Sequence, residues 1–249
     1  MNTAKLLSPI AAIFALMTLV CMPLKAADDV LRVGTDATFP PMEFIKDGQR
    51  TGFDIELIEA LGKELGKKVE WVDIGFKGLI PGLISNRFDI AASGIYMTDE
   101  RKKVVSFTDS YYSGGLAVLV LKDDKTINAP TDLVDGKKVS AQVGTKSISF
   151  LKEHYPAVTV VEVEKNQAMF DLLTIGRVNA AVTGRPAAVE YAKSEPRVRV
   201  LEEGLTTELY GFAVRKNDTE LASQLNKALQ TLRANGEYAA LTNKWLGTK

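Results

Sequence analysis

Two stretches ninety residues apart follow the same plan: Leu83-Ile84-Ser85-Asn86-Arg87-Phe88-Asp89-Ile90-Ala91-Ala92-Ser93-Gly94 and Leu173-Thr174-Ile175-Gly176-Arg177-Val178-Asn179-Ala180-Ala181-Val182-Thr183-Gly184. Each reads as a helix end, a tight turn with an arginine, a short buried strand and a glycine stop. Such a return points to a pair of similar α/β halves; a chance likeness between two commonplace helix-to-strand joins is the alternative. Short apolar runs alternate with helical stretches, which predicts mainly parallel sheets. Ligands of such sheets sit beyond the carboxyl ends of the strands, so Gly94 and Gly184 are expected to face one cleft.

Helical spacing supports this scheme. Phe53, Leu57, Ile58, Leu61 and Leu65 fall on one face, and Met169, Phe170, Leu172 and Leu173 mark a second apolar face. Near the end, Leu221, Leu225, Ala228, Leu229 and Leu232 keep the same period, Gly236 reads as a stop, and a last helix carries Tyr238, Leu241 and Trp245. These residues are expected to be core, Trp245 included.

The amino terminus has the pattern of a secretory signal peptide over residues 1–26. Lys5 precedes an apolar run from Ile10 to Val20, and Pro23-Leu24-Lys25-Ala26-Ala27 leads to Asp28-Asp29. Cleavage is expected after Ala26 or Ala27. The run is short of the roughly 18 apolar residues of a membrane span. Cys21 is the only cysteine, and a lipid-anchored form through its thiol is the alternative; Val20 argues against it, being bulky where a small residue is wanted. Without the leader no cysteine remains to form a disulfide. Lys5 and Lys25 are the only charges before Ala27, and their loss leaves 29 Lys and Arg against 31 Asp and Glu. There is no basic block, so no nucleic-acid partner is expected. With 46% hydrophobic residues the chain has enough apolar content for two modest lobes.

The most specific motif is Gly94-Ile95-Tyr96-Met97-Thr98-Asp99-Glu100-Arg101-Lys102-Lys103, which puts an arginine one short turn beyond a glycine-broken strand end. A guanidinium matches a carboxylate bidentately, and glycine lets a ligand approach the main chain. Together with Gly34-Thr35-Asp36-Ala37-Thr38-Phe39-Pro40-Pro41-Met42-Glu43-Phe44, Gly52-Phe53-Asp54 and Thr108-Asp109-Ser110-Tyr111-Tyr112, it resembles family 3 of the extracellular solute-binding proteins, the polar amino-acid receptors of ABC importers. The resemblance runs from about Leu31 to Trp245. It implies a two-lobed periplasmic binding protein fold, with two similar α/β lobes joined by a two-strand hinge. Lobe 1 would be residues 28–112 plus 210–249 and lobe 2 residues 116–206, with hinges near 111–116 and 206–211. Ser113-Gly114-Gly115 fits such a crossing, because paired glycines permit the torsion changes of a hinge.

The same resemblance implies a set of ligand contacts. Arg101 would hold a ligand carboxylate, Phe39 and Phe76 would wall its apolar stem, and Asp36 would accept from a polar end. Thr145, in Gln142-Val143-Gly144-Thr145-Lys146-Ser147, would assist the carboxylate at a helix amino terminus. Two positions depart from the family. Where α-amino-acid receptors hold the ammonium with a Ser or Thr and with an acid, this chain has Tyr96 and Gly184. On that reading an acid placed at 184 would restore the missing partner. Lys77, Lys146 and Arg185 hint at a pocket more positive than usual, whereas Glu208, with Asp36, offers an alternative seat for an ammonium.

The function so implied is binding of an amino acid or related small carboxylate and its delivery to an inner-membrane ABC permease, by a monomer with no cofactor and no metal. The alternatives are an enzyme on the same fold, as in cyclohexadienyl dehydratases, or a ligand sensor. His154 is the only histidine and stands at an expected helix end, so no Ser-His or Cys-His arrangement and no metal-ligand spacing is present.

Overall fold

The computed structural model describes residues 30–247. The signal-peptide reading over 1–26, its cleavage after Ala26 or Ala27, and Cys21 lie outside the described residues. In chain order, β1 (Val30–Thr35), β2 (Thr38–Phe39), β3 (Glu43–Lys46) and β4 (Gln49–Thr51) precede α1 (Phe53–Glu64), β5 (Lys68–Asp73), α2 (Leu79–Ile84), β6 (Ile90–Ala91), α3 (Asp99–Val104) and β7 (Val105–Phe107). A short β8 (Tyr112–Gly114) leads into β9 (Leu116–Leu121), β10 (Lys138–Gln142), α4 (Lys146–His154), β11 (Thr159–Val163), α5 (Asn166–Thr174), β12 (Ala180–Gly184), α6 (Arg185–Ser194) and β13 (Val198–Val200). The chain returns through β14 (Glu208–Tyr210) to β15 (Ala213–Arg215), α7 (Thr219–Ala234) and α8 (Glu237–Leu246).

These strands build two five-stranded sheets of the same order, β5-β1-β6-β15-β7 and β11-β10-β12-β9-β13. The repeated sequence occupies equivalent places in them. β6 lies parallel to β1 with Val33 opposite Ile90, and β12 lies parallel to β10 with Val139 opposite Ala180. The expectation of mainly parallel sheets needs correction, because both sheets are mixed: β15 is antiparallel to β6 and β7, and β9 to β12 and β13. The reason is connectivity. β9 and β15 enter from the crossing between the lobes, start at the cleft edge and run away from it, against strands whose carboxyl ends point to the cleft. The crossings pair as a two-stranded ribbon, β8 with β14, Tyr112 opposite Tyr210.

Both faces of each sheet are covered. In α1, Phe53, Leu57, Ile58 and Leu61 are buried, while Leu65 caps the helix and is only partly buried. In α7, Leu221, Leu225, Ala228, Leu229 and Leu232 are buried, and Asp218 caps that helix by accepting from Leu221 N at 3.3 Å. In α5, Met169, Phe170 and Leu173 are buried and Leu172 is half-buried. Gly236, at φ 86°, turns the chain between α7 and α8 in the left-handed region. Trp245 packs edge-on against Phe44 at 5.9 Å and donates to Glu56. At the crossing, Tyr96 stacks on Tyr210 at 4.6 Å and Tyr111 on Phe212 at 4.2 Å, joining the inner faces of the sheets into one core.

Candidate functional site

The residues that meet between the lobes follow the carboxyl ends of parallel strands. Asp36 follows β1, Phe76 follows β5, and Ser93-Gly94 follow β6. Across the cleft, Thr145 follows β10, Asn166 follows β11, and Gly184 ends β12. Only about 30 Å³ of cavity remains between them, room for about two waters, so the two walls stand close together. Of the positions expected from the sequence, Asp36, Phe39, Phe76, Gly94, Tyr96 and Thr145, together with Lys146 and Gly184, line it.

Asp36 is the polar centre of the cleft, with only 2% of its side chain exposed. Its Oδ2 accepts from Phe76 N at 3.0 Å and from Gln142 Nε2 at 2.9 Å. Its Oδ1 accepts from Thr38 Oγ1 at 3.1 Å and from Lys165 Nζ at 2.8 Å. Two of these donors come from the second sheet's lobe, so the carboxylate clasps the lobes together. Behind it, Gln142 Oε1 accepts from Asn166 Nδ2 at 2.8 Å, and Asn166 Oδ1 accepts from Thr183 Oγ1 at 3.2 Å. A buried polar chain of this kind is stabilising only when its members are satisfied, as these are.

Arg101 stands beside the cleft rather than in its lining. Thr98 caps α3 and positions it, accepting from Arg101 N at 3.3 Å. The guanidinium donates to Tyr96 O at 3.0 Å and across the lobes to Gly144 O at 3.1 Å, and its carbon lies 5.5 Å from the Phe76 ring centre. Burial pulls it down to about 10, so it stays charged at neutral pH. Lys77 pairs with Glu164 at 2.6 Å in the open, Arg185 points to Glu202 O, and Glu208 does not line the cleft. Lys146 does line it.

The Gly184 end differs from the sequence expectation. A Cβ there would lie 2.5 Å from Tyr210 Oη, 2.8 Å from Phe39 Cζ and 3.2 Å from Tyr96 Oη. Two phenols therefore fill the space where an acid was to be restored, and an aspartate at 184 does not fit. They are engaged with each other: Tyr210 donates to Tyr96 at 3.2 Å, and Tyr96 donates to Gly115 O at 2.9 Å. Burial pushes both phenols up, so they remain neutral.

One wall holds a pair of acids that sequence reasoning did not single out. Glu43 and Asp54 are both fully buried. Glu43 Oε1 accepts from Ser93 Oγ at 2.8 Å; Asp54 Oδ2 accepts from Gly94 N at 2.9 Å and Tyr111 Oη at 2.7 Å. Desolvation, and for Glu43 also the charge of its neighbour, raises the Glu43 carboxyl well above the usual range and lifts Asp54 to about 7. The remaining oxygens, Glu43 Oε2 and Asp54 Oδ1, have no donor, and the raised Glu43 carboxyl favours a proton held between the two acids. Gln142, Lys165, Asn166, Thr183 and Tyr210 were missed as well. The strand-end rule applied to β11 would have found Lys165 and Asn166. Among the described residues no group of three or more His, Cys, Asp or Glu side chains is placed to hold a metal, and no helix is long and apolar enough to cross a membrane.

Residues 31–248, nearly all of the chain beyond its first thirty residues, match the family model of the bacterial extracellular solute-binding proteins, family 3. The chain belongs to that family. The L-arginine-binding protein of Pseudomonas aeruginosa is 34% identical over 245 residues, covering 92% of this chain and 92% of that protein. Among solved structures, an ancestral arginine-binding protein bound to arginine superposes with a TM-score of 0.85 at 40% identity, covering 88% of this chain and 99% of the other. An ancestral amino-acid-binding protein, described as a precursor of cyclohexadienyl dehydratase, does so with a TM-score of 0.83 at 43% identity, covering 87% and 95%. The fold of this family 3 member is thus the two-lobed one of amino-acid-binding proteins.

Proposed function

We propose that this solute-binding protein takes an amino acid or a related small carboxylate between its lobes in the periplasm and delivers it to the permease of an ABC importer, without chemistry of its own. The observation that carries this reading is the clasp at Asp36, where donors from both lobes converge on one buried carboxylate beside the cleft. A site walled by both lobes at once is complete only in a closed form, and closure is what a permease can distinguish from the empty receptor. Relatives named as arginine-, cystine- and histidine-binding proteins support an amino-acid-like ligand. The lobes we assign are 28–112 plus 210–249 and 116–206, flexing near 111–116 and 206–211 about the β8–β14 ribbon. Residues 1–26 would act as the export signal.

The test is a thermal-shift panel of amino acids, keto acids, dicarboxylates and opines, followed by small-angle scattering with the best compound. A concentration-dependent rise in melting temperature and a smaller radius of gyration are expected. No shift with any compound would sink the receptor reading. Recovery of a chemically altered ligand would favour the dehydratase-like enzyme instead.

A further inference from the structure

The cleft's charges bear on which small carboxylate it takes, an inference that rests on the receptor reading above. A cationic ligand group needs a carboxylate left free in the site, because a buried charge without a counter-charge is costly. Two carboxyl groups line this cleft, Asp36 and Glu43. Asp36 already has four donors on its two oxygens, and one of them is the ammonium of Lys165 at 2.8 Å. The chain thus supplies its own cation to that carboxylate. Glu43 is fully buried and holds Ser93 with one oxygen, and burial beside Asp54 raises its carboxyl well above the usual range, which favours the neutral form. Asp36 is thus answered by the chain's own cation, and Glu43 is disposed to the neutral form, so neither offers a ready counter-charge to a guanidinium or an ammonium.

At the Gly184 end the neutral phenols of Tyr96 and Tyr210 are bonded to each other and to Gly115 O. The positive groups are less fully answered. Lys146 lines the cleft, and its ammonium has no hydrogen-bond or ion-pair partner among the described residues. Arg101 donates only to the carbonyls of Tyr96 and Gly144. Glu100 and Glu208 act on Arg101 from a distance without forming an ion pair, and Glu164 is held by Lys77 at the rim. Lys146 also opens α4, whose first-turn N–H groups favour an anion.

We propose that the cleft selects a small carboxylate of net negative charge, such as a dicarboxylate, a keto acid or an acidic amino acid, over arginine and other cationic amino acids, with Lys165 serving as the built-in counter-ion of Asp36. Ligand charge, rather than size, is then the main discriminator, and Lys165 sets it although it lies outside the cleft lining.

Titration calorimetry of the purified protein with succinate, 2-oxoglutarate, glutamate, glutamine and arginine tests this. The tightest probe is expected to carry net negative charge and to bind at least tenfold more tightly than arginine. Lys165→Gln frees Asp36 and is expected to move the anion-to-arginine affinity ratio at least tenfold towards arginine, with the circular-dichroism melt reporting that the variant folds. Lys146→Gln is the second variant, expected to weaken the anion at least tenfold without weakening arginine. If arginine or glutamine binds tightest, or if neither variant moves the ratio, the charge inference is overturned while the receptor reading stands. If no probe binds at all, the receptor reading itself fails.

Discussion

Gly184→Ala isolates the contact between the lobes from the stability of either one. Gly184 has φ −61° and ψ 137°, a conformation any residue adopts, so an alanine there is opposed only by space. The added Cβ would sit 2.5 Å from Tyr210 Oη and 2.8 Å from Phe39 Cζ, nearly 1 Å inside the ordinary contact distance of about 3.5 Å. Tyr210 cannot swing aside, being fully buried and stacked between Tyr96 at 4.6 Å and Tyr112 at 5.6 Å. Overpacking of this kind costs about 1–3 kcal/mol. Gly184 belongs to the second sheet, whereas the atoms it meets belong to the first lobe and the crossing. Opening the cleft relieves the clash, so the cost falls on closure and not on folding. The dissociation constant should rise roughly 5- to 150-fold, at 1.4 kcal/mol per factor of ten, while the urea midpoint without ligand stays unchanged. Calorimetry and urea melts on the same preparation decide it. Affinity within twofold of the parent protein, or a matching loss of ligand-free stability, would refute the reasoning. Gly184→Asp should behave the same way more severely, the reverse of the gain expected from sequence.

Glu43→Gln probes the buried acid pair. Both carboxyls titrate above their unfolded range, so between about pH 4 and 7 the folded protein binds more protons than the unfolded one; native stability therefore falls as pH rises through that window and stays lower above it. A glutamine keeps the Ser93 contact and offers its amide to Asp54, so the fall should flatten and stability at pH 8 rise by about 1–2 kcal/mol in urea melts; an unchanged pH slope would contradict the shared proton. Arg101→Ala should weaken ligand binding by roughly 30- to 1000-fold through loss of a desolvated charge and of the bond to Gly144 O, with folding retained. Equal affinities in calorimetry would remove Arg101 from any role at the cleft.

The repeat, the apolar helix faces and the glycine-stopped strands were legible because they are local: periodicity and turn chemistry act over a few residues. They pointed to two like sheets and to a cleft between Gly94 and Gly184, both of which line it, whereas Thr145 came only from the family resemblance. The reversed strands β9 and β15 were not legible, since strand direction is set by where the chain enters the sheet and not by its composition. Fold class was thus a property of the sequence read along its length, and so were the residues that end each strand.

What those residues do for one another was decided only in three dimensions. Gln142 reaches Asp36 across 106 positions and Lys165 across 129, and nothing near Asp36 in the chain announces either partner. Tyr210 fills the room beside Gly184, so a missing side chain read as a vacancy is an occupied space. Hydrogen bonds and steric exclusion act over about 3 Å through space, without regard to separation along the chain, and which groups come that close is fixed by the packing of the two lobes.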